Sequence, residues 1–91
     1  MAIEVRIPTI LRTYTGGEKS VEANGATLAA VIDDLEANHA GIKGRLIEDS
    51  GDLRRFVNVY VNDEDVRFTG GLDTEVSDGD QVVVLPAVAG G

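Results

Sequence analysis

The apolar residues change their spacing once, and that change constrains the fold more than any other feature of the chain. From Thr27 onward, Leu28, Val31, Ile32 and Leu35 fall at i, i+3, i+4 and i+7, while Asp33, Asp34 and Glu36 lie off that stripe. This is the period of an amphipathic helix. Thr27 is placed to cap it, its hydroxyl accepting from an orphan amide of the first turn, and Gly41 is placed to stop it. A helix over residues 27–39 is therefore expected. Before it, Ile3, Val5 and Ile7 alternate with Glu4 and Arg6, the period of a half-buried strand that Pro8 ends. After it, Phe56-Val57-Asn58-Val59-Tyr60-Val61 is rich in β-branched and aromatic residues and reads as the strongest strand.

The remaining signals are shorter. Gly16-Gly17 supplies a turn before a second, more polar strand over residues 18–23, so the first two strands form a hairpin with a long loop, closed by Asn24-Gly25. Ile42, Leu46 and Ile47 allow one further helical turn, and Glu48-Asp49-Ser50-Gly51-Asp52 is a polar loop. Asn62-Asp63-Glu64-Asp65 reads as a turn and Val66-Arg67-Phe68 as a short strand. The stretch from Gly70-Gly71 to Asp78-Gly79-Asp80 reads as a looping connection. Residues 81–85 form the last strand before Pro86. Two strands, a helix and three strands predict an α+β domain over residues 1–86, with a sheet of about five strands and one main helix on one face. The uncovered face must stay polar or bind something. The pattern does not fix which side chains of each strand lie on that face.

At 91 residues the chain supports one core. No apolar run approaches the roughly 18 residues needed to span a bilayer, and the first residues lack the cationic and apolar regions of a secretory signal, so a cytoplasmic location is expected. Eight basic against sixteen acidic residues give a formal charge of −8, which disfavours nucleic acid and anionic membranes as partners. The same charge suits a partner with a basic docking surface. The absence of cysteine removes disulfides, thiolate metal sites and cysteine nucleophiles. His39, the one imidazole, reads as a surface residue at a helix end. Asp63-Glu64-Asp65 and Asp78-Gly79-Asp80 lack the carboxylate spacing of a calcium loop and read as turns, and no glycine pair leads into a phosphate loop. No metal or cofactor site on this chain is expected.

The last residues carry the chemistry. A terminal carboxylate is ionised at neutral pH, with a reference pKa of about 3.3 to 3.7, and is then a poor electrophile. To react it must be activated, for instance as an acyl adenylate. An activating enzyme would have to thread it through a narrow passage, where glycine's wide range of backbone angles and missing side chain help. Ala87-Val88-Ala89-Gly90-Gly91 is small and uncharged along its side chains. Extended at about 3.3 Å per residue, it reaches roughly 16 Å beyond Pro86. Residues 87–91 are accordingly read as a flexible tail, with Gly91 as the attachment point and Ala87, Val88, Ala89 and Gly90 as the segment threaded.

Asp78-Gly79-Asp80, Val82, Pro86, Val88 and Gly90-Gly91 together resemble the end of MoaD- and ThiS-type sulfur carriers, ubiquitin-like proteins with the β-grasp fold and a mixed sheet. The resemblance extends along the chain. Ile7-Pro8-Thr9-Ile10-Leu11-Arg12, Thr15-Gly16-Gly17, Lys19-Ser20-Val21, Asp34-Leu35-Glu36-Ala37-Asn38, Phe56-Val57-Asn58 and residues 60–68 are similar to the actinobacterial CysO-type branch. The ending lacks the second proline of many MoaD sequences, which favours the cysteine branch.

The resemblance implies a cycle in which this chain is a co-substrate and not an enzyme. An E1-like enzyme adenylates Gly91 and sulfur replaces the AMP, leaving a thiocarboxylate. A pyridoxal-phosphate-dependent cysteine synthase then lets that sulfur attack the aminoacrylate made from O-phosphoserine. The thioester rearranges to an amide-linked cysteine, which a JAMM-type zinc metalloprotease releases. ATP, magnesium, pyridoxal phosphate and zinc would all belong to these partners. Leu85, just before Pro86, is expected to make a hydrophobic docking contact because related carriers present one there. Three other readings stay open: a carrier for molybdopterin or thiamin synthesis, a ubiquitin-like modifier joined through Gly91 to target lysines, and a plain binding module.

Overall fold

The computed structural model describes residues 3–55 and 57–86. The described residues form five strands, β1 (Ile3–Arg6), β2 (Ser20–Ala23), β3 (Val57–Val61), β4 (Glu64–Asp65) and β5 (Gln81–Pro86), and two helices, α1 (Leu28–Asn38) and α2 (Lys43–Leu46). Three 3-10 turns, Thr9–Thr15, Val66–Phe68 and Gly71–Asp73, lie in the connections. The sheet order is β2-β1-β5-β3-β4. β1 and β5 are parallel, and the other neighbours are antiparallel. This is the expected mixed five-strand sheet with a main helix, the β-grasp arrangement.

α1 forms where the apolar stripe predicts it. The Thr27 hydroxyl accepts from Ala30 N at 3.2 Å, the expected cap, and Leu28, Val31, Ile32 and Leu35 are all buried. They meet the inward row of the sheet: Ile3 and Val5 from β1, Val57, Val59 and Val61 from β3, and Val82 and Val84 from β5. Register puts Val5, Val82 and Val61 side by side, with Val59 opposite Val84. Truncating one of the buried leucines or isoleucines among them to alanine typically costs about 2 to 5 kcal/mol. The second helical turn also forms: α2 and its cap bury Ile42 and Leu46 against the same core.

Between α1 and α2 a single carboxylate stands in for caps. Gly41 N donates to both oxygens of Glu36, at 3.0 and 3.1 Å, and Lys43 N donates to it at 2.9 Å. These backbone amides, with the Lys43 charge, hold the Glu36 carboxyl below its ordinary pKa. Gly41 itself sits at φ +99° with the Tyr14 ring 3.0 Å from where a Cβ would be, so the corner accepts only glycine there.

Two local readings are corrected. Val66–Phe68 is a 3-10 turn and not a strand, because the Asp65 carboxylate takes Arg67 N at 2.9 Å and Thr69 N returns to Val66 O at 3.0 Å. The strand paired with β3 is Glu64–Asp65 instead. It begins early because Asn62 and Asp63 adopt φ +50° and +72°, a two-residue left-handed turn whose twist matches the flanking strands. The hairpin of β1 and β2 has its expected long loop, which after Pro8 winds into the 3-10 turn Thr9–Thr15. The strand expected from Phe56 is described from Val57, Phe56 itself lying outside the described residues.

Gly25 explains why the second hairpin strand must turn sharply into α1. A Cβ on it would lie 2.6 Å from Val31 N and 2.8 Å from Ala30 C, both backbone atoms that have no room to yield. Gly25→Ala should therefore lower stability by about 2 kcal/mol or more. Gly44→Ala, in α2 with open space around it, should leave stability unchanged or raise it by up to about 1 kcal/mol. Urea unfolding midpoints of the two variants check this contrast.

A second prediction concerns pH. A carboxyl whose pKa is lowered by folding adds stability above its unfolded pKa and loses it as pH falls through the folded value. Glu36→Ala should thus lower the melting temperature at neutral pH. The gap between variant and parent should close as the solution is acidified through the ordinary glutamate range and below. A gap that stayed constant with pH would show that the carboxylate's hydrogen bonds are not its contribution.

Candidate functional site

The end of β5 is set by how its neighbours leave it. β1 accompanies β5 only from Gln81 to Val83, because Pro8 then turns the chain into the Thr9–Thr15 turn. β3 continues alongside to pair Asn58 with Leu85 and Val57 with Pro86. Over its last residues β5 therefore has one neighbour, and a proline there removes no ladder bond on the vacated side. β4 reaches only as far as Tyr60, and beyond it the Arg67 side chain takes its place. Arg67 Nη2 donates to Val57 O at 2.9 Å and Nη1 to Asn58 Oδ1 at 2.5 Å. Arg67 thus steadies the part of β3 that holds the end of β5.

The start of β5 is pinned as well. Asn62 N donates to Gln81 O at 2.9 Å and Gln81 N to Asn62 Oδ1 at 3.0 Å. The Asp80 carboxylate takes Ser77 N at 2.8 Å. The Asn62 side chain and this amide hold Asp80 below the usual carboxylate range. Asp78-Gly79-Asp80 therefore works as a turn, as expected. Among the described residues no cluster of His, Cys, Asp or Glu is arranged to hold a metal ion.

Register settles the strand parity that the pattern left open. Val82 and Val84 point to the core, so Val83 and Leu85 lie on the uncovered sheet face. Val83 stands between Arg6 and Tyr60, and Leu85 beside Asn58. Toward the other end Gln81 Nε2 donates to Glu4 Oε1 at 2.9 Å. The uncovered face is thus polar at one end and partly apolar at the other. Leu85, 45% exposed, lies at the partly apolar end, next to Pro86.

Ile10, 67% exposed, was missed as a candidate. It sits in the Thr9–Thr15 turn, beside the space that β1 vacates. Two depressions flank the end of β5, and Pro8, Ile10, Val84 and Pro86 wall both. The signal for Ile10 was a large apolar residue just after a proline that ends a strand. His39 is half-buried at the end of α1, where its backbone N–H closes the helix on Leu35 O. The remaining site candidates, Ala87, Val88, Ala89, Gly90 and Gly91, lie outside the described residues, as does the tail over 87–91. Among the described residues no helix is long and apolar enough to cross a membrane.

The chain is similar over its whole length to sulfur carrier proteins and to a modifier protein. It is 66% identical over 93 residues to the sulfur carrier protein CysO of Mycobacterium tuberculosis (strain ATCC 25618 / H37Rv), covering 100% of both chains. It superposes on a chain of the crystal structure of the Amycolatopsis orientalis BexX/CysO complex with a TM-score of 0.93 and 68% identity, covering 99% of this chain and 100% of that one. It is also 40% identical over 94 residues to the small archaeal modifier protein 3 of Haloferax volcanii, again covering 100% of both. The family model described as ThiS family matches residues 5–91, so that match takes in both the sheet and the diglycine end. On that match and those identities, the chain belongs to the ThiS family.

Proposed function

We propose that this chain is a sulfur carrier that works through the C-terminal carboxylate of Gly91. The observation that carries the reading is the 66% identity to a sulfur carrier protein with complete mutual coverage. The end of β5 supports it: a strand fixed at both ends leads to Pro86 beside an exposed Leu85. In the cycle, a carboxylate oxygen of Gly91 attacks the α-phosphorus of ATP on an E1-like enzyme, and pyrophosphate leaves. A sulfur nucleophile then attacks the acyl carbon and AMP leaves, giving the thiocarboxylate. Magnesium and ATP belong to that enzyme. The body over residues 1–86 docks, and Ala87, Val88, Ala89 and Gly90 carry Gly91 into the enzyme, the five residues reaching roughly 16 Å at about 3.3 Å per residue.

The sulfur goes to cysteine synthesis from O-phosphoserine in this proposal. A pyridoxal-phosphate-dependent cysteine synthase uses it, and a JAMM-type zinc metalloprotease releases the product and restores Gly91. Support for this branch over molybdopterin or thiamin synthesis is again the identity to CysO chains. The carrier works in the cytoplasm, where ATP is supplied. A second reading, a modifier conjugated through Gly91 to lysines, is favoured by the 40% identity to an archaeal modifier protein.

Intact-protein mass spectrometry after incubation with the E1-like enzyme, ATP and a sulfur source tests the proposal. The expected gain equals one oxygen replaced by sulfur, localised to Gly91. Lysine-linked adducts in cell extract without that gain would favour the modifier. Deleting Gly91 should abolish the gain while leaving the unfolding midpoint unchanged, since the described core and ladder do not include it. Leu85→Glu should raise the KM for activation about tenfold, the loss of one buried apolar anchor. An unchanged KM would remove Leu85 from the docking contact.

A further inference from the structure

Charge is not spread evenly around the root of the tail. The depression on the helix side of β5, about 510 Å³, is floored by Leu11, Val57 and Val84 and carries Arg45 and Arg54. The one on the uncovered sheet face, about 550 Å³, is floored by Val83 and Leu85 and carries Arg6, Arg12 and Lys19. The two meet at Ile10 and Pro86. Five of the eight basic residues thus line this collar, and among the described residues only Asp63 of the sixteen acidic ones does. Charges scattered at random would place acids there twice as often as bases.

Three of these cations are held by uncharged groups. Arg12 Nε donates to Ile7 O at 3.1 Å, Arg54 Nε to Gly44 O at 2.9 Å, and Arg45 Nε to the Tyr14 hydroxyl at 2.7 Å. Arg45 also lies 5.8 Å from the centre of the Tyr14 ring, a cation–π distance. Such contacts fix direction without cancelling charge. By contrast Lys43, outside the collar, is ion-paired with Asp33 at 2.6 Å. The collar cations form no ion pair among the described residues.

Exposed apolar side chains ringed by cations have the anatomy of a docking surface, with Ile10 and Leu85 as anchors and charge at the rim. We infer that the enzyme receiving the tail presents an acidic mouth with an apolar seat, which closes on this collar. This rests on the carrier reading and adds the chemistry of its partner. The sign is opposite to the basic docking surface that the net charge suggested. The acidic remainder of the body then repels such an enzyme everywhere except at the collar, so the tail is presented first.

Binding of the full chain to its E1-like enzyme, measured without ATP at low and at high salt, tests this. Without ATP, affinity does not call on Gly91 chemistry, whereas the mass gain does, so the two readings fail separately. The double variants Arg45→Glu/Arg54→Glu and Arg6→Glu/Lys19→Glu alter exposed side chains. Each should weaken binding by about tenfold or more and flatten its salt dependence. Arg45→Gln/Arg54→Gln, a milder change, should lie between them and the parent. Glu64→Lys/Glu75→Lys, in the depression beside Asp80, should change affinity less than about twofold. Unchanged affinity in the collar variants, or no binding by the parent chain, overturns the inference. So would tighter binding on charge reversal, which would mean that the collar holds the chain's own terminal carboxylate.

Discussion

The parallel pairing of β1 with β5 is the constraint on which the rest of the structure depends. Glu4 stands opposite Gln81 and Arg6 opposite Val83, so the first and last strands meet at the centre of the sheet. Parallel neighbours cannot be joined by a tight turn and need a crossover, here the long excursion that contains α1. That helix is tied back where the pairing needs it: Leu28 N donates to Thr74 O at 2.9 Å and Val76 N to Ala26 O at 3.0 Å. The capped first turn of α1 thus holds the segment that leads into β5. Contacts this distant in sequence form only after much of the chain is ordered, which makes the position of Pro86 a property of the whole fold.

The same constraint explains what the sequence reveals and what it hides. α1 was legible because its period, cap and stop are local. Thr27 and the stripe of Leu28, Val31, Ile32 and Leu35 all behave as they read. β1, β2, β3 and β5 were legible as elements for the same reason, whereas β4 was read as part of a turn. The parity of β5 was not, since Val82-Val83-Val84-Leu85 is apolar throughout and only the register with β1 and β3 decides which side is covered. Val66–Phe68 misled because its residues favour strands, while the outcome turned on one Asp65 carboxylate and the left-handed pair Asn62-Asp63. Gly25 read as a turn glycine. Its actual reason, the backbone of α1 pressed against it, is a tertiary contact with no local signature.

In the proposed carrier, body and tail divide the work in a way the physics requires. A group that must enter another protein's active site cannot also be held by its own core, so the fold's contribution is to fix where the tail starts. It does so with contacts at both ends of β5: Asn62 with Asp80 at the start, and Arg67 bracing Val57 and Asn58 at the end. The side chains beyond Pro86 are small and uncharged, so whatever selects the partner must be carried by the body around the strand's end. That is where Leu85 and Ile10 are exposed.

Net charge then becomes a poor guide to that partner. A formal charge of −8 describes the molecule at distances large compared with its size, where salt has already screened it: the Debye length is about 8 Å at physiological ionic strength. At contact, the charges that count are those within that distance of the seam. The two depressions at the end of β5 are lined by Arg6, Arg12, Lys19, Arg45 and Arg54, with Asp63 as the one acid among the described residues. In the proposed docking, acidic residues elsewhere disfavour other approaches, while the basic root of the tail sets the one that leads to chemistry. The whole-chain total and the local sign therefore serve different ends, and only the folded arrangement, which brings residues 6, 12, 19, 45 and 54 to one end of one strand, separates them.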